Sequence, residues 1–243
     1  MARLSQFPTL RFETAGPIAT VTLDRPECLN AYDVQMRDDL YAVLGAVDDD
    51  PGLRVLVLRG RGPAFSAGGD LREFGSAPSP GIARAVRFRR DVWGRLLDLR
   101  AATLASVHGA AVGGGMEMAL LCDLVLAASD ARFALPECGL GMIPGVAGTQ
   151  TLVRRVGTGR ALDVVLSGRV VGAREAMRLG VVARVVGRAQ LAAVTQRLAR
   201  RLAGLDPAVV TAVRRCLRAA HETPLASGTA LERRLALGLE APR

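Results

Sequence analysis

Residues Gly113 to Cys122 read GGGMEMALLC, three consecutive glycines running straight into an apolar helical segment that carries one carboxylate. Glycines at the mouth of a helix let a ligand approach the main chain, and the helix N-terminus adds partial positive charge, so the stretch suits a developing anion. Glu117 is the odd residue in it. Its same-face neighbours on a helix are Leu120 and Leu121, and Met116, Met118 and Ala119 offer no polar company. A carboxylate on such a face is either a surface residue or a buried acid with a raised pKa, and burial without a partner is costly enough to point to function. The triplet is neither a P-loop nor a dinucleotide fingerprint, because no Lys-Ser/Thr follows and the glycines are contiguous.

Short apolar strands and amphipathic helices alternate around this stretch. Leu10 to Phe12 and Ile18 to Leu23 flank the turn Ala15-Gly16-Pro17 and predict a hairpin. Met36, Leu40, Val43, Leu44 and Val47 recur at helical spacing, with Asn30 or Asp33 as the cap. VLVL at Val55 to Leu58 predicts a strand buried on both faces. It leads to FSAGGDLREF at Phe65 to Phe74, where Gly68 and Gly69 again expose main-chain N–H groups and Asp70 can fix the loop. An arginine-studded helix is predicted over Ile82 to Leu99, then strands over Thr103 to Val107 and Leu124 to Ala127. Parallel strands put their carboxyl ends on one side of a sheet, so the two glycine turns can converge there.

Further on, Arg132 to Leu135 doubles back and reaches Pro136-Glu137, from which a path to the cavity of Glu117 is open. Without further information Glu137 reads as a first-turn acid of a helix. The glycine-rich Gly139 to Gly148 enters an amphipathic helix, helices follow at Arg160 to Leu166 and Ala173 to Leu179, and Val181 to Val186 reads as a strand. After that only helices are predicted: a stripe of Leu191, Val194, Leu198 and Leu202, a helix begun by Asp206-Pro207 with Val209, Val210, Val213 and Leu217 on its apolar side, and a third over Pro224 to Leu239. This shift divides the chain into a core, 1–187, and a helical region, 188–243, suited to packing on a partner subunit.

Composition narrows the class. A chain of 243 residues can bury a substantial core, and no apolar run is long enough to span a bilayer without a charge. MARLSQFPTL lacks the apolar centre of a signal peptide, so a soluble, cytoplasmic protein is expected. The 4 cysteines are scattered without ligand spacing and the 2 histidines are too few for a cluster, which argues against a disulfide framework or a metal site. Net charge is +9 and all 32 basic residues are arginine. Codon composition accounts for that most simply; guanidinium groups also suit a phosphate-bearing ligand. Their spread over many segments argues against a dedicated nucleic-acid surface.

Five motifs, in order and at consistent spacing, resemble the enoyl-CoA hydratase/isomerase, or crotonase, family. They are DRPECLNA (Asp24 to Ala31), AFSAGGDL (Ala64 to Leu71), HGAAVGGGMEMALLCDLVLA (His108 to Ala127), FALPECGLGMIPGVAGTQ (Phe133 to Gln150) and SGRVVGAREAMRLGVVARVV (Ser167 to Val186). The likeness runs from Ile18 to Val186 and continues more weakly to Leu239. It implies an α/β fold of the crotonase type, a spiral of ββα units with a C-terminal helical region that makes trimers, often paired into hexamers.

By position, the resemblance assigns the N–H groups of Gly69 and Gly114 to an oxyanion hole around the thioester carbonyl of an acyl-CoA. Glu117 would activate water for addition at the β-carbon and Glu137 would deliver a proton to the α-carbon, a pair of acids that marks hydratases within the family. Cys28, Leu29, Ala67, Asp70 and Leu71 match places that contact CoA, and Arg25 is a candidate for its phosphates. No metal and no separate cofactor is implied, because CoA arrives with the substrate. The chain departs from the family at His108, where asparagine is usual and a structural loop role is expected. It also ends at Ala241-Pro242-Arg243, where typical members continue into one more helix that helps close the CoA site. The expected activity is hydration of a trans-2-enoyl-CoA to a 3-hydroxyacyl-CoA. The alternatives are a double-bond isomerase or specialised-pathway member, and a non-catalytic protein of this fold that binds acyl-CoA or RNA.

Overall fold

The computed structural model describes residues 3–75, 79, 82 and 90–239. A seven-stranded sheet has the order β1-β2-β3-β4-β5-β7-β10, from β1 (Arg3–Gln6), β2 (Leu10–Ala15), β3 (Ile18–Leu23), β4 (Val55–Gly60), β5 (Ala102–Val107), β7 (Leu124–Ala128) and β10 (Arg184–Val186). The first three strands form an antiparallel meander, and from β3 onward every neighbour is parallel. A smaller sheet has the order β6-β8-β9, from β6 (Ala110–Val112), β8 (Arg132–Ala134) and β9 (Val171–Gly172).

Side-chain alternation along the parallel strands explains their unbroken apolar runs. Leu56, Leu58, Ala105 and Val125 face one core with Leu40, Val43 and Leu44 of α1 (Val34–Asp49) and Leu96 of α2 (Val92–Asp98). Val55, Val57, Leu104 and Leu126 face the other, closed by Leu191, Ala199 and Ala203 of the long helix Arg188–Ala203. Apolar side chains dominate both faces, and the polar exceptions in β5, Thr103 and Ser106, are hydrogen-bonded to Asp123 and Thr195.

Helix α3 (Gly114–Leu121) is buried at all eight positions, which accounts for its apolar character on every side. It is followed by α4 (Gly148–Val156), α5 (Thr158–Ser167), α6 (Ala173–Leu179), α7 (Arg188–Ala203), α8 (Pro207–Ala219) and α9 (Leu225–Leu237).

Several local expectations change. Helix α1 is capped by Asp33, which accepts from the Met36 N–H at 2.8 Å, while Asn30 is buried and ties loops together. The helix predicted over Ile82 to Leu99 is interrupted: Arg90 lies in a bend and Asp91 caps a new helix, accepting from the Gly94 N–H at 2.9 Å. Residues 83–89 of that prediction lie outside the described residues. Only Arg184–Val186 of the strand predicted from Val181 is extended, because the Val181 and Val182 N–H groups close the end of α6 on the Ala176 carbonyl. Of the apolar side predicted for α8 only Val210 packs inward; Val209, Val213 and Leu217 are exposed. Among the described residues no helix is long and apolar enough to cross a membrane.

Candidate active site

The turn after β4 is held by short-range chemistry. The Ser66 hydroxyl donates to the Asn30 carbonyl at 2.8 Å and accepts from the Gly68 N–H at 3.1 Å. The Tyr32 N–H donates to the Gly68 carbonyl at 2.8 Å, and the Asp70 N–H to the Tyr32 carbonyl at 2.9 Å. This parallel bridge uses the groups on either side of Gly69, so the N–H of Gly69 itself is turned away from Tyr32. Gly68 has φ +92°, and a Cβ there would lie 2.7 Å from the Val112 carbonyl and 3.0 Å from the Gly114 nitrogen. Only glycine lets the two turns touch. Gly114 opens α3, where its N–H has no partner within the helix.

Glu117, one turn along α3, is 1% exposed. Its Oε1 accepts from the Val146 N–H at 2.8 Å and the Gly148 N–H at 2.7 Å. Between those donors Ala147 adopts the left-handed conformation (φ +67°, ψ 15°), which aims two nearly successive N–H groups at one oxygen. Burial pushes the Glu117 pKa up to about 7; the two N–H groups oppose the rise and the charge of Glu137 adds to it.

Glu137 begins a short 3-10 turn, Glu137–Leu140, after Pro136. It is half-buried, and its pKa too is raised by burial against the pull of its own N–H. Its Oε1 lies 2.8 Å from where a Gly113 Cβ would be, and its Oε2 is buried with no hydrogen-bond partner among the described residues. The topology thus brings both acids to the mouth of α3, beside the two glycine turns. Two neighbouring acids with raised pKa values, next to main-chain N–H groups of Gly69 and Gly114 that have no partner among the described residues, form a constellation able to move a proton on and off a substrate.

The loops beside this mouth assign other residues differently. Arg25 is engaged within the loops: it donates to the Ala31 carbonyl at 2.6 Å and pairs with Asp33 at 3.1 Å and Asp70 at 3.2 Å. Asp70 locks the loop, as its sequence position suggested. It caps the turn Leu71–Glu73, binds Arg72 at 2.6 Å and Arg25, and is held well below the usual carboxylate range by the Arg72 guanidinium. The Ala67 N–H donates to the Leu29 carbonyl at 2.9 Å, and the Cys28 N–H to the Arg25 carbonyl at 3.2 Å. Leu29 and Leu71 stand exposed on the rim. His108 contacts the Gly62 carbonyl at 2.9 Å, joining two loops. The nest around Ala147 escaped sequence reasoning. Its one available signal was the glycine-rich approach to α4, since nothing in the residue type alanine announces a positive φ.

The enoyl-CoA hydratase/isomerase family model matches residues 13–239. The 2,3-dehydroadipyl-CoA hydratase of Escherichia coli is 37% identical over 218 residues, 90% of this chain and 85% of that protein. A Geobacillus kaustophilus enoyl-CoA hydratase structure superposes with a TM-score of 0.90 at 38% identity, covering 96% of this chain and 90% of the other. A Thermobifida fusca structure assigned to the enoyl-CoA hydratases and solved with CoA gives a TM-score of 0.87 at 32% identity, covering 95% and 92%. Motifs, fold and relatives agree: the chain belongs to the enoyl-CoA hydratase/isomerase, or crotonase, family.

Proposed function

We propose that this chain hydrates trans-2-enoyl-CoA thioesters to 3-hydroxyacyl-CoA. The observation that carries the reading is the pair of carboxyls at one helix mouth, both driven upward by burial and neither in an ion pair among the described residues. The thioester oxygen would accept from the Gly69 and Gly114 N–H groups, with the α3 dipole favouring its developing charge. Glu117, with Oε1 held by Val146 and Gly148, has Oε2 left to take a proton from water as the oxygen bonds to the β-carbon. Glu137 delivers the proton that completes the α-carbon. The buried, unpaired Oε2 of Glu137 fits a group that works on a substrate, since leaving it idle is costly. CoA enters with the substrate, and no metal or separate cofactor is invoked.

The same reading includes a homotrimer or homohexamer in the cytoplasm. Leu217, Leu225 and Leu237 of α8 and α9 are exposed, as expected of helices that pack on another copy. A dedicated nucleic-acid role is disfavoured because the arginines are spread along the chain and many are consumed in ion pairs.

The test follows the enoyl-thioester absorbance of crotonyl-CoA with wild type, Glu117→Gln and Glu137→Gln. Wild type should turn over and each variant should lose about a hundredfold or more while staying folded. Wild type that hydrates neither crotonyl-CoA nor a panel of longer and cyclic enoyl-CoAs would overturn the reading.

A further inference from the structure

The chemistry above uses one end of α4, where the Gly148 N–H holds Glu117. The other end carries Arg155, whose Nη2 donates to the Leu120 carbonyl at 3.0 Å and to the Cys122 carbonyl at 2.6 Å. Both carbonyls belong to the closing turn of α3, whose C-cap is Cys122, and such carbonyls have no partner within their own helix. Because α3 is buried along its whole length, a donor supplied by the protein takes the place of water there. Burial lowers the Arg155 pKa, the cost of setting a cation at that spot. Asp123, the acid beside it, is instead bound by Arg214 at 3.0 Å, and Arg155 forms no ion pair among the described residues.

The two helices therefore cap each other. At the start of α4, where Ala147 offers no side-chain cap, the carboxyl of Glu117 accepts the first N–H; at the end of α3, the guanidinium of Arg155 satisfies the last carbonyls. Each charge suits the helix dipole that it meets. Helix α4 is thus fastened to α3 at its first residue and in its last turn, with the fully buried Leu152 between the two points. With the far end released, α4 is free to pivot about Leu152 and carry its first N–H off Oε1, and a hydrogen bond weakens steeply as its angle opens.

We propose that Arg155 is a positioning residue for Glu117: by gripping the end of α3 it keeps the Val146 and Gly148 N–H groups aimed at Oε1. The charge that acts on Glu117 is that of Glu137, so Arg155 reaches the acid through the backbone. Its consequence for rate rests on the hydratase reading, while its hold on Glu117 does not.

Two readouts keep these apart. The first needs no turnover: the carbon-13 resonance of the Glu117 carboxyl, identified by its loss in Glu117→Gln, is followed against pH in wild type, Arg155→Met and Arg155→Lys. The second is crotonyl-CoA hydration by the same proteins. In Arg155→Met the Glu117 midpoint should rise by about one pH unit, because the N–H groups that favour the anion are lost. Its kcat at pH 7 should fall about tenfold with KM changed less than about twofold. Arg155→Lys, which keeps a cation for the carbonyls, should recover at least half of the midpoint shift. A Met variant that melts earlier but titrates Glu117 as wild type does overturns the proposal, and so does a Lys variant no closer to wild type than the Met variant. If the Met variant fails to fold, Arg155→Gln takes its place in the comparison; failure of both to fold overturns the proposal, since Arg155 would then hold the fold and not the acid. A raised midpoint without any wild-type hydration would retain Arg155 as the positioning residue and remove the hydratase reading.

Discussion

Asp70 closes the Gly68 turn and Glu117 sits in the helix whose mouth that turn touches, and both are almost excluded from solvent, at 6% and 1% exposure. Asp70 meets two guanidinium groups and is held far below the usual range, whereas Glu117 meets only backbone N–H groups and rises to about 7. A full positive charge makes a buried carboxylate a permanent anion and a lock. Partial charges alone leave it poised near neutrality, where it can exchange a proton. Placing both kinds side by side gives a rigid frame with a reactive group inside it.

The largest effect that would break this contrast is on rate. Glu117 must be ionised to accept a proton, so kcat for crotonyl-CoA should fall about tenfold per pH unit as pH drops below about 7, a limb measurable in steady state. A profile flat from pH 5 to 8 would place Glu117 among the inert acids.

Next comes stability. The folded-state pKa of Glu117 is raised from 4.5 to about 7, so its stabilising neutral form is fully present below about pH 4.5 and is lost as pH rises through 7. That interval corresponds to about 3 kcal/mol at most. Glu117→Gln should therefore gain stability relative to wild type in urea melts at pH 8 compared with pH 4. Asp70 runs the other way, because its depressed pKa makes its contribution present above about pH 4 and lost in acid. Asp70→Ala should cost about 2 kcal/mol at pH 7, since Arg25 loses an acceptor and the turn its cap. A loss that persists undiminished at pH 2 would show that charge is not what Asp70 supplies.

The smallest effect sharpens the comparison at the nest. Ala147 pays for a left-handed backbone that glycine adopts freely, while glycine loses more entropy on folding. Ala147→Gly should shift stability by less than about 1 kcal/mol and leave kcat within about twofold. A large loss of activity would show that the alanine side chain itself, and not the N–H pair beside it, holds Glu117.

Much of this site was legible in the chain. VLVL announced a strand dry on both faces, and GGGMEMALLC announced a helix mouth and a stranded acid, because burial and glycine leave local marks in residue type. The motifs carried Glu137 to the same place as Glu117, a separation that periodicity alone left open. That Arg25 pairs with Asp70 was not legible, because an arginine after a strand has the same sequence whether its partner is a phosphate or a carboxylate 45 residues away. The helix through Arg90 was overextended because its apolar spacing continues across a residue, Asp91, that serves equally well inside a helix or as its cap.

By itself, then, the sequence determined most of the long elements, the two glycine turns and the identity of the acids, since these follow from side-chain volume, hydropathy and backbone freedom within short windows. Tertiary structure alone decided which oxygen of Glu117 is held and which arginines are engaged within the loops. Those outcomes depend on contacts between residues tens of positions apart, where charge and dielectric are set by what the fold brings near and not by what the chain places next.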